Sequence, residues 1–296
     1  MNRHNITTSV LSLANPWLDF LPPSTAGPTA LEINTEFNSM CDSHPGRLFF
    51  FACLPLSAPL NTILESITAL QSMRYCRGVI MGTNGLGNGL DDGNLLPVFR
   101  ALAEGKLPIF LHPHYGLPNS VFGERAGSGE YGHVLPLALG FPMETSIAVA
   151  RMYLGGVFDE VPDMRVILAH GGGTVPFLAG RIESCVRHDG YLYQQKKEKR
   201  RSIWEVLETQ VYLDAVVYSE VGLRAAIAAS GEGGVGRLMF GTDHPFFPPV
   251  GDEGEEEEWG SVSMNREAVE KALGEGGEEA AMVMGGNAVR ILRLEE

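Results

Sequence analysis

The chain has 296 residues, of which 44% are hydrophobic and 20% are charged, a composition typical of a globular protein. Its net charge of −14 argues against a nucleic-acid or anionic-membrane partner, because phosphate binding needs clustered Lys and Arg. The four cysteines contain no CxxC pair, and no signal peptide or membrane-length apolar run is recognisable, so we expect a cytoplasmic protein without disulfides.

Seven short apolar runs predict β-strands. They are nearly continuous in Val, Ile, Leu and Phe, which is typical of parallel strands buried on both faces. In chain order they cover Ser9–Leu13, Leu48–Leu54, Gly78–Met81, Ile109–Leu111, Arg165–Ala169, Gln210–Leu213 and Arg237–Phe240.

Longer amphipathic segments between these runs predict helices, and the alternation of strand and helix indicates a parallel α/β fold. The clearest helices are Asn61–Met73, Leu95–Glu104, Met143–Val157 and Glu220–Ala229. The segment Asn265–Leu294 predicts a long helical region that closes the fold.

Polar or Gly/Pro-rich breaks follow five of the predicted strands. A (β/α)₈ barrel gathers the carboxyl ends of all its strands on one face, whereas a doubly wound sheet places ligands at a single switch point. Five such breaks therefore favour a barrel that forms a single domain over residues 1–296. The residues that mark them are Asn15, His112, His170, Asp214 and Asp243.

The number of strand–helix units is one short of a closed barrel. We find seven units, and eight are needed to remove the open edges of the sheet. Because the chain opens on a strand and ends in helix, we expect the first β/α unit to be lacking.

Three groups at three strand ends could hold a metal ion: His112 with His114, His170, and Asp243 with His244. Imidazole and carboxylate groups from separate strands are suitable ligands for Zn²⁺ or a similar divalent ion. A single histidine of this kind is more simply a hydrogen-bonded structural residue, but three groups on one face of a barrel favour a site.

These residues and their neighbours resemble the amidohydrolase-type decarboxylases, and within them the uracil-5-carboxylate (isoorotate) decarboxylases, which are related to aminocarboxymuconate-semialdehyde decarboxylase. The resemblance is carried by SLANPWLDF at 12–20, LHPHYGLP at 111–118, LAHGGG at 168–173 and GTDHPFFP at 241–248. It implies a metal-dependent (β/α)₈-barrel lyase that removes CO₂ from uracil-5-carboxylate in pyrimidine salvage. It also implies a small carboxylated pyrimidine as substrate and a homo-oligomeric state.

The resemblance also implies residue roles. In that family a divalent metal, usually Zn²⁺, is held by an HxH pair on the first strand, a histidine after the fifth strand and an aspartate after the eighth. The matching metal ligands here are His112 and Asp243. Asp243 and His170 match the catalytic residues, and Asn15, Arg181 and Phe246 match substrate contacts.

The sequence departs from the family at the first metal-binding motif. No HxH pair occurs near residue 1, and His112-Pro113-His114 has the spacing but follows the strand that matches the fifth of the family. A truncated product or an incomplete gene model is the simplest explanation of this gap. Two alternatives to the decarboxylase stay open. One is a metal-dependent hydrolase on the same fold, and the other is an inactive, truncated paralogue that binds a partner through its open sheet edge.

Overall fold

The computed structural model describes residues 1–127, 129–192, 200–246, 249 and 259–295. Its centre is a curled parallel sheet in which the strands follow each other in chain order from β1 to β7. The strands are β1 (Ser9–Ser12), β2 (Leu48–Cys53), β3 (Cys76–Met81), β4 (Ile109–Leu111), β5 (Val166–Leu168), β6 (Val211–Asp214) and β7 (Leu238–Met239).

Helices lie between consecutive strands and after the last one. The longer ones are α1 (Pro23–Asp42), α2 (Leu60–Leu70), α3 (Leu96–Glu104), α5 (Phe141–Gly155), α7 (Val175–His188), α8 (Ile203–Thr209), α9 (Glu220–Ala229) and α10 (Gly260–Leu273). The shorter ones are α4 (Glu124–Gly127), α6 (Val157–Glu160), α11 (Glu278–Ala281) and α12 (Asn287–Leu292). Pro at the first position of α1 and at the second position of α7 suits a helix start, where the absent N–H would have no partner.

The two faces of the sheet are buried in separate apolar clusters. Because side chains alternate along a strand, Phe50 and Ala52 of β2 pack with the surrounding helices, while Phe51 and Cys53 point to the opposite, inner face. The inner cluster also contains Ile80, Ile167, Tyr212 and Met239 of the other strands, together with Ile291 and Leu292 of α12. Burial on both faces explains why the strands read as continuous apolar runs.

The structure confirms the parallel α/β fold and all seven predicted strands to within a few residues. The predicted closing region over Asn265–Leu294 is helical for most of its length, but it is divided into several helices. Gly274 has φ +89°, a left-handed value that stops α10, and α11, a π-helical turn at Met282–Gly286 and α12 follow as separate pieces. The single-domain boundary at 1–296 and the lack of a first β/α unit stay predictions.

The described residues also bear on the predictions about membranes and cysteines. None of the helices in these ranges is both long and apolar enough to cross a lipid bilayer. All four cysteines lie within the described ranges and are free thiols there.

The loops that leave the carboxyl ends of the strands are anchored by extensions of the sheet ladder. The His112 N–H donates to the carbonyl of Met81 at 3.1 Å, and the Ala169 N–H donates to the carbonyl of Leu111 at 3.1 Å. His112 and the start of the loop that carries His170 are therefore fixed by backbone hydrogen bonds at one edge of the sheet.

Candidate metal centre and active site

His112, His170 and Asp243 meet at the carboxyl ends of β4, β5 and β7. Asp243 lies between the two imidazoles, with Oδ1 3.9 Å from His112 Nε2 and Oδ2 3.8 Å from His170 Nε2. The imidazole ring centroids are 5.0 Å apart, and one ligand atom from each residue lies within 4.8 Å of the other two. The three side chains are between 16% and 21% exposed, so the cluster is partly shielded but reachable from solvent.

The tautomer of His112 is fixed by its own loop. Nδ1 lies 2.7 Å from the carbonyl oxygen of Pro113, and since a carbonyl can only accept, Nδ1–H is the donor. In the neutral ring Nε2 then carries a free lone pair and faces Asp243. Metal-binding histidines commonly have this arrangement, in which the far nitrogen donates to a backbone carbonyl.

Two of the three residues have an unusual backbone conformation. His170 has φ +56° and Asp243 has φ +50°, in the left-handed region that non-glycine residues seldom adopt. Such conformations cost free energy and persist where the surrounding structure holds them, which is often at functional sites. Both turns direct a polar side chain toward the same point at the end of the sheet.

Electrostatic interactions within the cluster favour the charged forms of Asp243 and His170. Burial would raise the pKa of Asp243, but the imidazoles of His112 and His170 outweigh burial and lower it to about 2. Burial would lower the pKa of His170, yet the carboxylates of Asp243 and Asp214 outweigh burial and raise it. Asp243 is therefore an anion at neutral pH and can serve as a ligand without losing a proton.

The donor set and spacing fit a divalent cation. Two ligands about 2.0–2.2 Å from a tetrahedral Zn²⁺ are separated by about 3.3–3.6 Å. The observed separations of 3.8 and 3.9 Å are slightly longer and exceed a hydrogen bond, so an ion fits between the groups after small side-chain rotations. Two imidazoles and a carboxylate suit Zn²⁺ and other first-row divalent ions.

Asp214, the last residue of β6, holds the turn that contains His170. Its Oδ1 accepts from the Gly171 N–H at 2.9 Å and from the Val216 N–H at 3.1 Å. The carboxyl is buried, which raises its pKa despite these donors and the nearby imidazole of His170. A buried carboxylate beside a histidine at a strand end orients that histidine electrostatically.

An aromatic and polar wall stands beside the cluster. The Trp17 ring contacts the rings of His112 and His114 edge-on, with centroids 6.2 and 5.4 Å apart. Tyr115 donates its hydroxyl to Asp19, and the His114 and Tyr115 rings are 4.7 Å apart. Burial raises the pKa of Asp19 against the opposing effects of Tyr115 and His114.

The three predicted substrate contacts differ in their burial and in their position relative to the cluster. Asn15 is half-buried in the turn after β1, two residues before Trp17. Phe246 is 45% exposed, and its N–H donates to the carbonyl of Asp243 at 2.9 Å, so it lies at the rim of the cluster. Arg181 is exposed on α7, and within the described ranges it makes no hydrogen bond or ion pair to the other predicted residues. The roles of these three residues stay predictions.

Sequence reasoning missed several residues of the site. Trp17 and Asp214 stood in breaks after predicted strands, so their position was visible although no role was assigned to them. Glu144 on α5, which accepts from the His114 N–H at 3.1 Å, lies in a predicted helix with nothing in the local sequence pattern to mark it. His170 was predicted to be catalytic, and the structure also places it among the three groups that could hold the ion.

Comparison with known proteins gives the family. The sequence profile of the Amidohydrolase family matches residues 18–294. The chain belongs to the amidohydrolase family. A curated relative of this amidohydrolase is the 2-amino-3-carboxymuconate-6-semialdehyde decarboxylase of Dictyostelium discoideum, which is 28% identical over 256 residues. That match covers 85% of this chain and 66% of the relative, so the chain spans just under two thirds of the relative's length.

Solved structures show the same fold. The apo crystal structure of Metarhizium anisopliae IDCase (isoorotate decarboxylase) is 65% identical with a TM-score of 0.96, and the match covers 100% of this amidohydrolase and 77% of that chain. A dihydroxybenzoic acid decarboxylase from Polaromonas sp. JS666, solved with manganese and 2-nitroresorcinol, is 22% identical with a TM-score of 0.78. The match covers 100% of this chain and 84% of that chain, and at 22% identity it supports the fold alone.

Proposed function

We propose that this amidohydrolase catalyses the metal-dependent, non-oxidative decarboxylation of uracil-5-carboxylate to uracil and CO₂. The observation that carries the proposal is the convergence of His112, His170 and Asp243 at the ends of three strands. The 65% identity to Metarhizium IDCase supports the substrate, and decarboxylases among the other relatives support the reaction class.

His112 and Asp243 would hold the metal ion through Nε2 and a carboxylate oxygen. When bound, the ion would neutralise the substrate carboxylate and polarise a neighbouring ring oxygen. We propose Zn²⁺ because imidazole and carboxylate ligands suit it. A bound manganese in the Polaromonas decarboxylase makes Mn²⁺ the ion to compare by metal analysis.

Asp243 is the proposed proton carrier. The Asp243 carboxylate would first take a proton from His170 and then deliver it to C5 of the ring, and the electron pair of the C5–carboxylate bond would return to the ring as that bond breaks and CO₂ leaves. The product keeps the delivered proton as its C5–H. His170 Nε2 lies 3.8 Å from Asp243 Oδ2, close enough for a small movement to pass a proton between them.

Three further residues are proposed to orient the substrate. The amide of Asn15 has a donor and an acceptor and suits the ring edge that presents N–H and C=O groups. Arg181 offers two parallel N–H donors to a carboxylate or to ring oxygens. Phe246, at the rim, offers an apolar face to the ring.

Product analysis tests the proposal. The chain is incubated with 5-carboxyuracil and either Zn²⁺ or Mn²⁺, and uracil and CO₂ are quantified. We expect equimolar uracil and CO₂, with no turnover by Asp243→Asn and unchanged turnover by Asp163→Asn, an exposed control outside the site. A ring-opened product would favour the hydrolase alternative, and no product with either ion would contradict the decarboxylase.

The proposal includes a cytoplasmic homo-oligomer. Three of the four free cysteines are buried among apolar residues, which suits a reducing compartment. Light scattering during size-exclusion chromatography measures the oligomeric state, and fluorescence microscopy of the tagged chain in cells measures its location.

A further inference from the structure

The start of α5 lies between the two loops that carry His112 and His170. These loops follow neighbouring strands, β4 and β5, which are paired in parallel register with Leu111 opposite Leu168. Two polar residues of α5, Glu144 and Ser146, make the contacts that join the helix to the two loops.

Glu144 holds the loop that contains His112. It is only 8% exposed, and its Oε1 accepts from the His114 N–H at 3.1 Å and from the Thr83 hydroxyl. Its Oε2 accepts from the Gly116 N–H. One carboxylate therefore fixes the loops after β3 and β4. The His114 N–H that it binds belongs to a residue two positions after His112.

Ser146 and the backbone of Pro142 hold the loop that contains His170. The Thr174 N–H donates to Ser146 Oγ at 2.8 Å, and the Ser146 hydroxyl donates to the Pro142 carbonyl at 2.7 Å. Gly173 packs directly on this turn, since a Cβ at that position would lie 2.2 Å from the Pro142 oxygen.

The chemistry of Glu144 argues for more than packing. Burying a carboxylate away from water costs free energy that an apolar residue would avoid. All three of its partners are neutral donors, and two of them are backbone groups of the loop after His112. A charge-assisted acceptor holds backbone donors more strongly than a neutral one, so the carboxylate restricts the loop in a way that an amide would not.

We propose that Glu144 and Ser146 are positioning residues that set the spacing of His112 and His170 and keep His112 Nε2 aimed at Asp243. Because Glu144 fixes this loop, the Pro113 carbonyl stays within hydrogen-bond distance of His112 Nδ1. That hydrogen bond selects the Nδ1–H tautomer, in which Nε2 can bind a cation. The bearing of this on catalysis rests on the proposed function. The positioning itself is a property of the metal-free chain.

The first test measures the histidine tautomer in metal-free protein. Histidine-selective ¹⁵N NMR at pH 8 reports which ring nitrogen of His112 carries the proton, and urea unfolding reports stability. We expect the unmodified chain to hold His112 in the Nδ1–H form and Glu144→Gln to mix the two tautomers, because the new NH₂ group faces a backbone donor. Ser146→Ala should shift the signals of His170.

Glu183→Gln is the matched control. Glu183 on α7 accepts from the Tyr153 hydroxyl at 3.1 Å and from the Ile203 N–H at 3.2 Å, so it shares one hydroxyl and one backbone donor with the pattern of Glu144. It also forms an ion pair with Arg187 at 3.2 Å, and none of its hydrogen bonds among the described residues reaches the His112 loop. Its substitution should lower stability and leave the His112 and His170 signals unchanged. Co²⁺ affinity gives a second readout, which we expect to fall by about 10-fold or more in Glu144→Gln alone.

The outcomes separate positioning from stability. If Glu144→Gln and Glu183→Gln are equally destabilised and neither changes the histidine signals, the proposal is wrong and Glu144 is structural only. Should Glu144→Gln fail to fold, Thr83→Val removes one donor from the same carboxylate, and an unchanged His112 tautomer there would also overturn the proposal. A chain that binds no Co²⁺ counts against the proposed function, while the NMR result still decides the positioning.

Discussion

Substitution of Gly173 by Ala tests the contact between the His170 loop and α5. Gly173 has φ +64° and ψ −122°, a conformation open to glycine and strained for any residue with a Cβ. The added methyl would lie 2.2 Å from the Pro142 oxygen and 2.8 Å from Ser146 Oγ. Carbon atoms do not approach that closely, so the loop or the helix must move by about 1 Å.

The expected loss of stability has two parts. Left-handed backbone strain costs about 1–2 kcal/mol for a residue with a Cβ, and overpacking a tight contact adds about 1–3 kcal/mol. We therefore expect Gly173→Ala to lower the free energy of unfolding by about 2–5 kcal/mol. Gly46→Ala is the control, since Gly46 has φ +73° with nothing within 4 Å of the added Cβ, and it should lose only about 1–2 kcal/mol.

Urea unfolding followed by tryptophan fluorescence measures both variants against the unmodified chain. Equal m-values would show that the same surface is exposed on unfolding. If Gly173→Ala lost no more stability than Gly46→Ala, the close packing of the His170 loop on α5 would be refuted. The proposal that this packing helps to position His170 would then also fail.

Two further predictions concern a helix start and the charge of Asp243. Ser202→Ala removes the capping box of α8, in which Ser202 Oγ accepts from the Glu205 N–H at 3.2 Å, and thermal unfolding should show a loss of about 1 kcal/mol with unchanged metal binding. The lowered pKa of Asp243 means that its contribution to stability in metal-free protein is present above the unfolded value near 3.9 and is lost as pH falls toward 2. The stability difference between the unmodified chain and Asp243→Asn should therefore be smaller at pH 3 than at pH 6 in urea titrations, and a difference that grew on acidification would contradict this assignment.

The strands could be predicted because their burial determines their amino-acid composition. Each is a short run of apolar residues between polar breaks, and burial on two faces requires that composition. The closing region could not be predicted as well, since amphipathic periodicity continues past Gly274 although the chain there adopts a left-handed turn. The glycines at 274, 276 and 277 were the available signal.

The three residues of the candidate metal centre could be predicted because each follows a strand. Parallel strands bring their carboxyl ends to one edge, so His112, His170 and Asp243 had to lie near each other once the fold was known. Their exact spacing depends on left-handed turns at His170 and Asp243, which no local pattern of residues indicates.

The supporting residues could not be predicted, because their partners are distant in sequence. Glu144 contacts Thr83, 61 positions earlier, and His114, 30 positions earlier, and neither contact follows from helical periodicity. Asp214 reaches Gly171 across 43 positions. Residues of this kind are recognisable only when the packing of a helix on a loop is known.

The most direct test of the account is the position of a metal ion in crystals of the chain grown with Zn²⁺ or Mn²⁺. An anomalous difference map locates the ion independently of the protein coordinates. We expect one peak about 2.0–2.3 Å from His112 Nε2 and from an Asp243 carboxylate oxygen, with His170 beside it. A peak at another place on the molecule, or an empty cluster in metal-saturated crystals, would contradict the claim that these three strand ends form one metal centre.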